Sequence, residues 1–157
     1  MLQADACAEH GHAGEQLQRM RGPRGGMNII TNDGGNDDHL TISANVRITG
    51  GDATIDADGN IDLNAGTDLI INNNAVVSTD ASGVITGDAD RAISISTASA
   101  AVQSVNGGIT LTANAGGHTG NFVGITIDDA AVSSTSGSVS LTGTGGDTGN
   151  NNHGVVL

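Results

Sequence analysis

A seven-residue frame repeats along the chain and constrains its fold more than any other feature. The frame reads Gly-x-[Ile/Val]-x-[Leu/Gly]-x-[Ala/Gly], and its copies begin at Gly59, Gly83, Gly107 and Gly137. Successive starts are 24, 24 and 30 residues apart. A unit of this length cannot enclose a core of its own, so the repeats must stack on one another.

Apolar and polar side chains alternate within each copy, as the stretch 59–65 (GNIDLNA) illustrates. A period of two is typical of a strand with one buried face. Each copy is followed by a second apolar pair, which comes eight residues later in the last two copies because both carry the same insertion. A third apolar segment follows at 75–79, 101–105 and 131–135. Each repeat therefore predicts three strands.

We predict an all-β fold, a parallel β-solenoid with three strands per coil of about 24–30 residues and four to five coils. Each strand should pair with its counterpart one repeat later, about 4.8 Å along the stack. The side chains expected to point inward are Ile61, Leu63, Ile85, Ile93, Ile95, Ile109, Leu111, Ile125, Ile127, Val139 and Leu141. Those expected to point outward are Asp62, Thr110, Thr126 and Ser140.

Residues 1–26 differ in character from the rest of the chain. They hold the only Pro, the only Cys and both Glu residues. Although 13–21 could form a short helix ended by Gly22-Pro23, we expect a weakly ordered leader there. We expect residues 27–157 to be the solenoid segment and a fragment of a longer array.

The charge balance excludes several classes of partner. The chain has 17 acidic and 5 basic residues, a formal net charge of −12, and Phe122 as its only aromatic residue. Binding to nucleic acid requires cationic side chains and usually stacking aromatics, so we expect none. A transmembrane helix needs an apolar run of about 18 residues, which the sequence lacks, so we expect no membrane span.

Two longer stretches resemble a known family of repeats. The stretch 59–85 (GNIDLNAGTDLIINNNAVVSTDASGVI) resembles the repeats of filamentous haemagglutinin-type adhesins and related giant bacterial exoproteins. The stretch 107–146, with its VSLTGTGG ending, is similar to Thr/Gly-rich repeats of very large bacterial surface proteins. The resemblance covers about residues 40–157. It implies a right-handed parallel β-helix, secreted and held extracellularly or at the cell surface.

An acidic run, DADGNID, holds the candidate calcium ligands Asp56, Asp58 and Asp62. If Gly59 is placed at the invariant glycine of an EF-hand loop, the position of the bidentate acid falls on Ala65. We therefore expect solvated acidic corners and no cofactor. Loosely bound calcium, which would relieve repulsion among carboxylates, is the alternative.

The two insertions are the best functional lead. Residues 114–124 (NAGGHTGNFVG) and 144–154 (TGGDTGNNNHG) should leave the same corner, one above the other, and form a polar patch. Loops on a rigid scaffold are common binding sites, although flexible Gly/Asn decoration is the simpler interpretation. The candidate binding residues are His118, Asn121, Phe122, Asp147, Asn150 and His153.

Catalysis is not expected, because the residues that polysaccharide-cleaving β-helices need are sparse. The chain has no Lys, and beyond the leader Arg47 and Arg91 are its only basic residues apart from His. The pairs Asp37-Asp38 and Asp128-Asp129 supply carboxylates, but adjacent residues on a strand point to opposite faces.

The sequence thus favours a structural and adhesive segment of a large secreted or surface-exposed bacterial protein that presents its loops for binding. The partners we expect are a host or neighbouring-cell surface, or a matrix polysaccharide or protein, with end-to-end self-association a further possibility. The alternative is a polysaccharide-binding or polysaccharide-cleaving β-helix.

Overall fold

The computed structural model describes residues 59–79 and 82–157 in full, and before them only the backbone of five strands. Every regular element in this part of the chain is a strand. In chain order they are β1 (Leu17–Arg21), β2 (Met27–Thr31), β3 (Leu40–Ala44), β4 (Arg47–Thr49), β5 (Thr54–Ala57), β6 (Ile61–Ala65), β7 (Asp68–Asn72), β8 (Val76–Thr79), β9 (Ile85–Ala89), β10 (Ala92–Ser96), β11 (Ala101–Ser104), β12 (Ile109–Ala113), β13 (Ile125–Asp128), β14 (Ala131–Ser134), β15 (Val139–Gly143) and β16 (Val155–Val156).

The strands form three sheets that the chain visits in turn. Sheet A has the order β1-β2-β5-β8-β11-β14, sheet B β3-β6-β9-β12-β15 and sheet C β4-β7-β10-β13-β16. From β2 onward the chain passes from A to B to C five times, and each pass is called a triplet below. All pairings between triplets are parallel. The predicted all-β class is confirmed, and three stacked parallel sheets are compatible with a β-helix.

The register within the sheets follows the sequence repeat. In sheet B, Ile61 lies opposite Ile85, Ile85 opposite Ile109, and Ile109 opposite Val139. These steps are the 24, 24 and 30 residues read from the sequence. Because each strand pairs with its own counterpart, inward positions stack on inward positions, and one alternating pattern serves the whole stack.

Buried side chains from all three sheets form one apolar cluster. Alternation is clear in β6, where Ile61, Leu63 and Ala65 are buried and the two residues between them are exposed. Eight of the predicted inward residues are at most 1% exposed, namely Ile61, Leu63, Ile85, Ile93, Ile95, Ile109, Leu111 and Ile125. Of the predicted outward residues, Asp62, Thr110 and Ser140 are exposed and Thr126 is half-buried.

Burial falls off toward β15, where the prediction of a buried side chain fails. Ile127 and Leu141 are half-buried against the cluster, while Val139 is 42% exposed. Val139 continues the column of Ile109, but β15 is the edge strand of sheet B among the described residues, so no further rung covers it. Its register follows the repeat, and its burial does not.

The glycine that opens each frame is required by contact between repeats. A Cβ atom built on Gly107 would lie 1.8 Å from the carbonyl oxygen of Gly83, and one on Gly137 would lie 2.0 Å from that of Gly107. A Cβ on Gly83 would lie 2.2 Å from the carbonyl oxygen of Gly59. These four residues are called the glycine column. A side chain at Gly83, Gly107 or Gly137 would push neighbouring triplets apart.

Hydroxyl groups at the ends of the sheet A strands brace the glycine column. The Thr79 and Ser104 hydroxyls donate hydrogen bonds of 2.9 and 3.0 Å to the carbonyl oxygen of Gly83. The Ser134 hydroxyl donates one of 2.7 Å to the carbonyl oxygen of Gly107. Thr79 and Ser104 are buried, so these bonds satisfy hydroxyl groups that would otherwise lose their hydration. The corner between sheets A and B is therefore tight.

The corner between sheets C and A turns through left-handed residues. Asn73, Thr97 and Asp129 follow the in-register ends of β7, β10 and β13, and their φ angles are 55°, 84° and 52°. Asn and Asp tolerate this conformation because their side chains hydrogen-bond locally, whereas a β-branched Thr rarely adopts it. Asn73 and Asp129 thus suit this corner by residue type, whereas Thr97 does not.

Most of the predicted leader lies outside the described residues. Within it, Leu17–Arg21 forms β1, which pairs antiparallel with β2 at the edge of sheet A. The alternative of a helix over 13–21 is therefore wrong for these five residues. The division at residue 26 stays a prediction.

Opposite faces of one strand should respond differently to the same charge. Leu111→Asp would bury an unpaired carboxylate in the apolar cluster and should cost more than about 4 kcal/mol of unfolding free energy. Thr110→Asp places that carboxylate on the outward face and should change the unfolding free energy by less than about 0.5 kcal/mol. Urea unfolding of both variants measures the difference. Equal losses would show that β12 is not oriented as described.

Candidate functional site

The corner between sheets B and C is where the repeats differ most. Two residues, Gly66-Thr67, connect β6 to β7, and Asp90-Arg91 connect β9 to β10. In the next two triplets the same connection contains the insertion and is eleven residues long. The first of these connections, residues 114–124, is called loop 1, and the second, residues 144–154, loop 2. The prediction that both leave the same corner is confirmed.

An ion pair joins the short connection Asp90-Arg91 to the first residue of β7, Asp68. The Arg91 guanidinium donates from Nε to Oδ1 of Asp68 at 2.8 Å and from Nη2 to the other carboxylate oxygen. This bidentate pairing raises the pKa of Arg91 further above its usual value. Backbone N–H groups of Asp90 and Arg91 also donate to Ala65 and Thr67 in the preceding triplet. These bonds fix the connection between β9 and β10 to the preceding triplet.

Asn114 anchors loop 1 from a buried position at its base. Its side chain is 1% exposed, and its backbone is left-handed, with φ at 55°. The side-chain oxygen accepts a hydrogen bond from the backbone N–H of His118, and Nδ2 lies 3.3 Å from the His118 carbonyl oxygen. The same Nδ2 reaches the carbonyl oxygens of Thr144 at 3.2 Å and Gly145 at 3.3 Å. One amide thus closes loop 1 and ties it to loop 2.

Further hydrogen bonds join the two loops directly. The Gly120 N–H donates to Oδ1 of Asp147 at 3.0 Å, and the Thr148 N–H donates to the Gly120 carbonyl oxygen at 3.0 Å. The Asn151 N–H donates to Oδ1 of Asn121 at 3.2 Å. Gly120 and Thr148 are 28 residues apart, whereas Asn121 and Asn151 keep the 30-residue step of the flanking strands, so the two loops are only partly in register.

Glycines let the loops approach each other closely. A Cβ atom on Gly146 would lie 1.9 Å from the Gly120 carbonyl oxygen and 3.1 Å from the ring of Phe122. The N–H of Gly146 donates to the Phe122 carbonyl oxygen at 3.0 Å. The Phe122 side chain is half-buried at this contact. The loops therefore form one braced unit, which differs from flexible Gly/Asn decoration.

The six predicted binding residues fall into two groups. Asn121 and Asp147 use side-chain oxygens to hold the neighbouring loop, and Phe122 packs between the loops. The side chains of His118, Asn150 and His153 are exposed and form no hydrogen bond with the other described residues. The first group builds the patch, and the second group is accessible to a partner.

Of the three candidate calcium ligands, Asp62 alone has a described side chain, so the calcium site stays a prediction. Asp62 is exposed on sheet B, Asp56 belongs to β5 of sheet A, and Asp58 lies outside the described residues. In the described part of the chain, no three His, Cys, Asp or Glu residues come together in a way that could hold a metal ion.

The two acidic pairs considered for catalysis have different outcomes. Asp37 and Asp38 lie outside the described residues. Asp128 ends β13 and Asp129 occupies the left-handed corner position, and both are exposed. The alternation expected within a strand does not apply to this pair, because the strand ends between the two residues. The pair lies at the corner between sheets C and A, away from the loops.

Comparison with known proteins adds no assignment. Neither protein-family models, curated proteins nor solved structures give a significant match to this chain. Across the residues that are described, no helix is long and apolar enough to cross a membrane.

Asn114 is the functional residue that the sequence did not single out. Its counterparts in the other triplets are Gly66, Asp90 and Thr144, so the position carries no repeated residue type. The available signal was an Asn immediately after a strand and at the start of an insertion, where a left-handed residue often turns the chain.

Replacing the amide donor of Asn114 by a carboxylate oxygen should loosen both loops. Asn114→Asp would place a buried carboxylate against the carbonyl oxygens of His118, Thr144 and Gly145, which should cost about 2–4 kcal/mol. Asn150→Asp makes the same chemical change at an exposed position and serves as the control. Hydrogen exchange should accelerate at the His118, Gly146 and Thr148 amides in the first variant only. Similar exchange in both variants would contradict the role of Asn114.

Proposed function

We propose that this chain is a right-handed parallel β-helix that forms a structural and adhesive segment of a large secreted or cell-surface bacterial exoprotein. Its repeats resemble those of filamentous haemagglutinin-type adhesins, from which the handedness and the location are taken. The observation that carries the proposal is a braced pair of loops on a uniform stack of strands. Such a stack can serve as a spacer of fixed length, and such loops can present side chains to a partner.

The stack supports the structural part of this role. Three sheets contribute to one apolar cluster, and interior strands such as β9 and β12 are hydrogen-bonded on both sides. Each triplet adds about 4.8 Å of height, so length grows linearly with the number of repeats. Outward positions such as Asp62, Thr110 and Ser140 are polar, which suits a surface exposed to water along its whole length.

The loops support the adhesive part. Their backbones are fixed by Asn114 and by bonds between the loops, so a partner would not have to order them on binding. His118, Asn150 and His153 offer side-chain groups that can donate or accept hydrogen bonds. The proposed partners are a host or neighbouring-cell surface, or a matrix polysaccharide or protein.

Polysaccharide cleavage is the competing function, and one observation bears on it. Asp128 and Asp129 are exposed together at one corner, which leaves a pair of carboxylates accessible to a substrate. Glycoside hydrolysis uses two carboxyl groups placed on opposite sides of the scissile bond. Asp128→Asn with Asp129→Asn removes the pair without changing the loops.

Adhesion can be assigned to the loops with matched variants. Beads coated with the 157-residue chain are tested for binding to bacterial and host cells and to matrix polysaccharides. Replacing His118, Asn150 and His153 by Ala should reduce binding at least tenfold, because interface energy concentrates in a few accessible side chains. Replacing Thr110, Gln103 and Ser133 by Ala removes three exposed side chains elsewhere and should leave binding unchanged.

Three results would contradict the proposal. Equal binding by both triple variants would show that the loops are not the adhesive surface. Failure of the unchanged chain to bind any of the surfaces would remove the adhesive role. Shortening of a polysaccharide by the unchanged chain, lost when Asp128 and Asp129 become Asn, would establish the enzyme instead.

A further inference from the structure

The corner between β11 and β12 contains a dipeptide with its own chemistry. Asn106-Gly107 is the single Asn-Gly pair in the sequence. Asn106 is exposed, while Gly107 is buried in the glycine column. When Gly follows Asn, no side chain obstructs attack by the following backbone nitrogen on the side-chain amide carbon, and the chain can adopt the required conformation.

The next triplet places a hydroxyl group on the reacting amide. Ser136, 30 residues further along the chain, donates a hydrogen bond of 2.8 Å from Oγ to Oδ1 of Asn106. A donor on a carbonyl oxygen stabilises the negative charge that develops there when a nucleophile adds to the carbon. The bond also holds the amide in one orientation, with its nitrogen directed away from Ser136. The stacking of one triplet on the next therefore places the Ser136 hydroxyl against the Asn106 amide, and an isolated Asn-Gly dipeptide has no such group.

The backbone nitrogen of Gly107, which would attack the Asn106 amide, belongs to a peptide that is held in place by other hydrogen bonds. The Gly107 N–H donates no hydrogen bond to another described residue. Its carbonyl oxygen accepts from the Ser134 hydroxyl at 2.7 Å, and the Gly108 carbonyl oxygen accepts from the Ile85 N–H at 3.0 Å. The peptide is thus fixed on its C-terminal side, while its nitrogen has no hydrogen-bond partner among the residues that the structure describes.

We propose that Asn106 is a site of self-catalysed deamidation, assisted by Ser136. The Gly107 nitrogen loses its proton to solvent and forms a bond with Cγ of Asn106. The tetrahedral intermediate then expels Nδ2, which leaves as ammonia after taking a proton from water, and a five-membered succinimide remains. Water next opens the ring. Cleavage of the Cγ–N bond gives Asp, and cleavage at the backbone carbonyl gives isoaspartate.

The isoaspartyl product would disturb the tightest contact in the fold. It inserts one extra methylene into the backbone immediately before Gly107. Gly107 stands where a Cβ would lie 1.8 Å from the Gly83 carbonyl oxygen, so its backbone cannot shift toward Gly83 to take up the extra length. Triplets on either side of Gly107 should separate locally. The site would then act as a slow chemical timer on the stability of the stack, independent of the proposed adhesive role.

Mass spectrometry of aged protein tests the proposal. The full chain is incubated in ¹⁸O-labelled water at mildly alkaline pH, folded or unfolded in urea, and residue 106 is analysed after proteolysis. We expect ¹⁸O-labelled Asp and isoaspartate at this position in the folded chain. Ser136→Ala should slow the folded reaction about fivefold, the effect of one hydrogen bond, and leave the unfolded rate unchanged.

A second variant keeps the test independent of folding defects. Asn106→Gln retains an amide for Ser136 but requires a six-membered ring, so its melting temperature should not decline with age, whereas that of the unchanged chain should. The proposal is overturned if the folded chain keeps Asn106 intact for as long as the unfolded chain needs to convert it. It is equally overturned if Ser136→Ala deamidates in the folded state at the unchanged rate.

Discussion

The structure depends on one close approach of backbone to backbone. At the corner between sheets A and B, the carbonyl oxygen of Gly83 occupies the space that a Cβ of Gly107 would need. Gly137 stands in the same relation to Gly107. Since only glycine permits this contact, the column fixes which residues of successive repeats lie above one another. The parallel register of the strands, the stacking of inward side chains and the shared cluster all follow from that alignment.

The same constraint decides where the chain can vary. At the corner between sheets A and B, Gly83, Gly107 and Gly137 have no room for a side chain. By contrast, a Cβ on Gly66 or Gly116, at the corner between sheets B and C, would meet nothing within 4 Å. Both insertions occur at this open corner, and Asn114 uses its space to bind loop 1 to loop 2. Regular stacking and local variation therefore occur at different corners, which separates the proposed structural role of the chain from its proposed adhesive role.

The sequence predicted the structural features that recur in successive repeats and missed those that occur once. Strand alternation, the 24- and 30-residue steps and the inward residues of β6, β9 and β12 recur in several copies, so the pattern was sufficient. Val139 has the expected register but remains exposed, because burial depends on a covering rung that sequence alone does not supply. Asn114 and the antiparallel β1 occur once and have no counterpart to reveal them. The candidate binding residues were located at the right corner, but the bracing roles of Asn121 and Asp147 depend on how loop 2 crosses loop 1.

The free energy of unfolding of two glycine variants tests this account most directly. Gly107→Ala and Gly116→Ala add the same methyl group, and neither glycine has a positive φ, so backbone preference is matched. The account predicts that Gly107→Ala loses at least about 2 kcal/mol, because the added atom must displace the backbone of the preceding triplet. Gly116→Ala, whose added atom meets open space, should stay within about 0.5 kcal/mol of the unchanged chain. Equal stabilities of the two variants would contradict the claim that the glycine column sets the stacking of the fold.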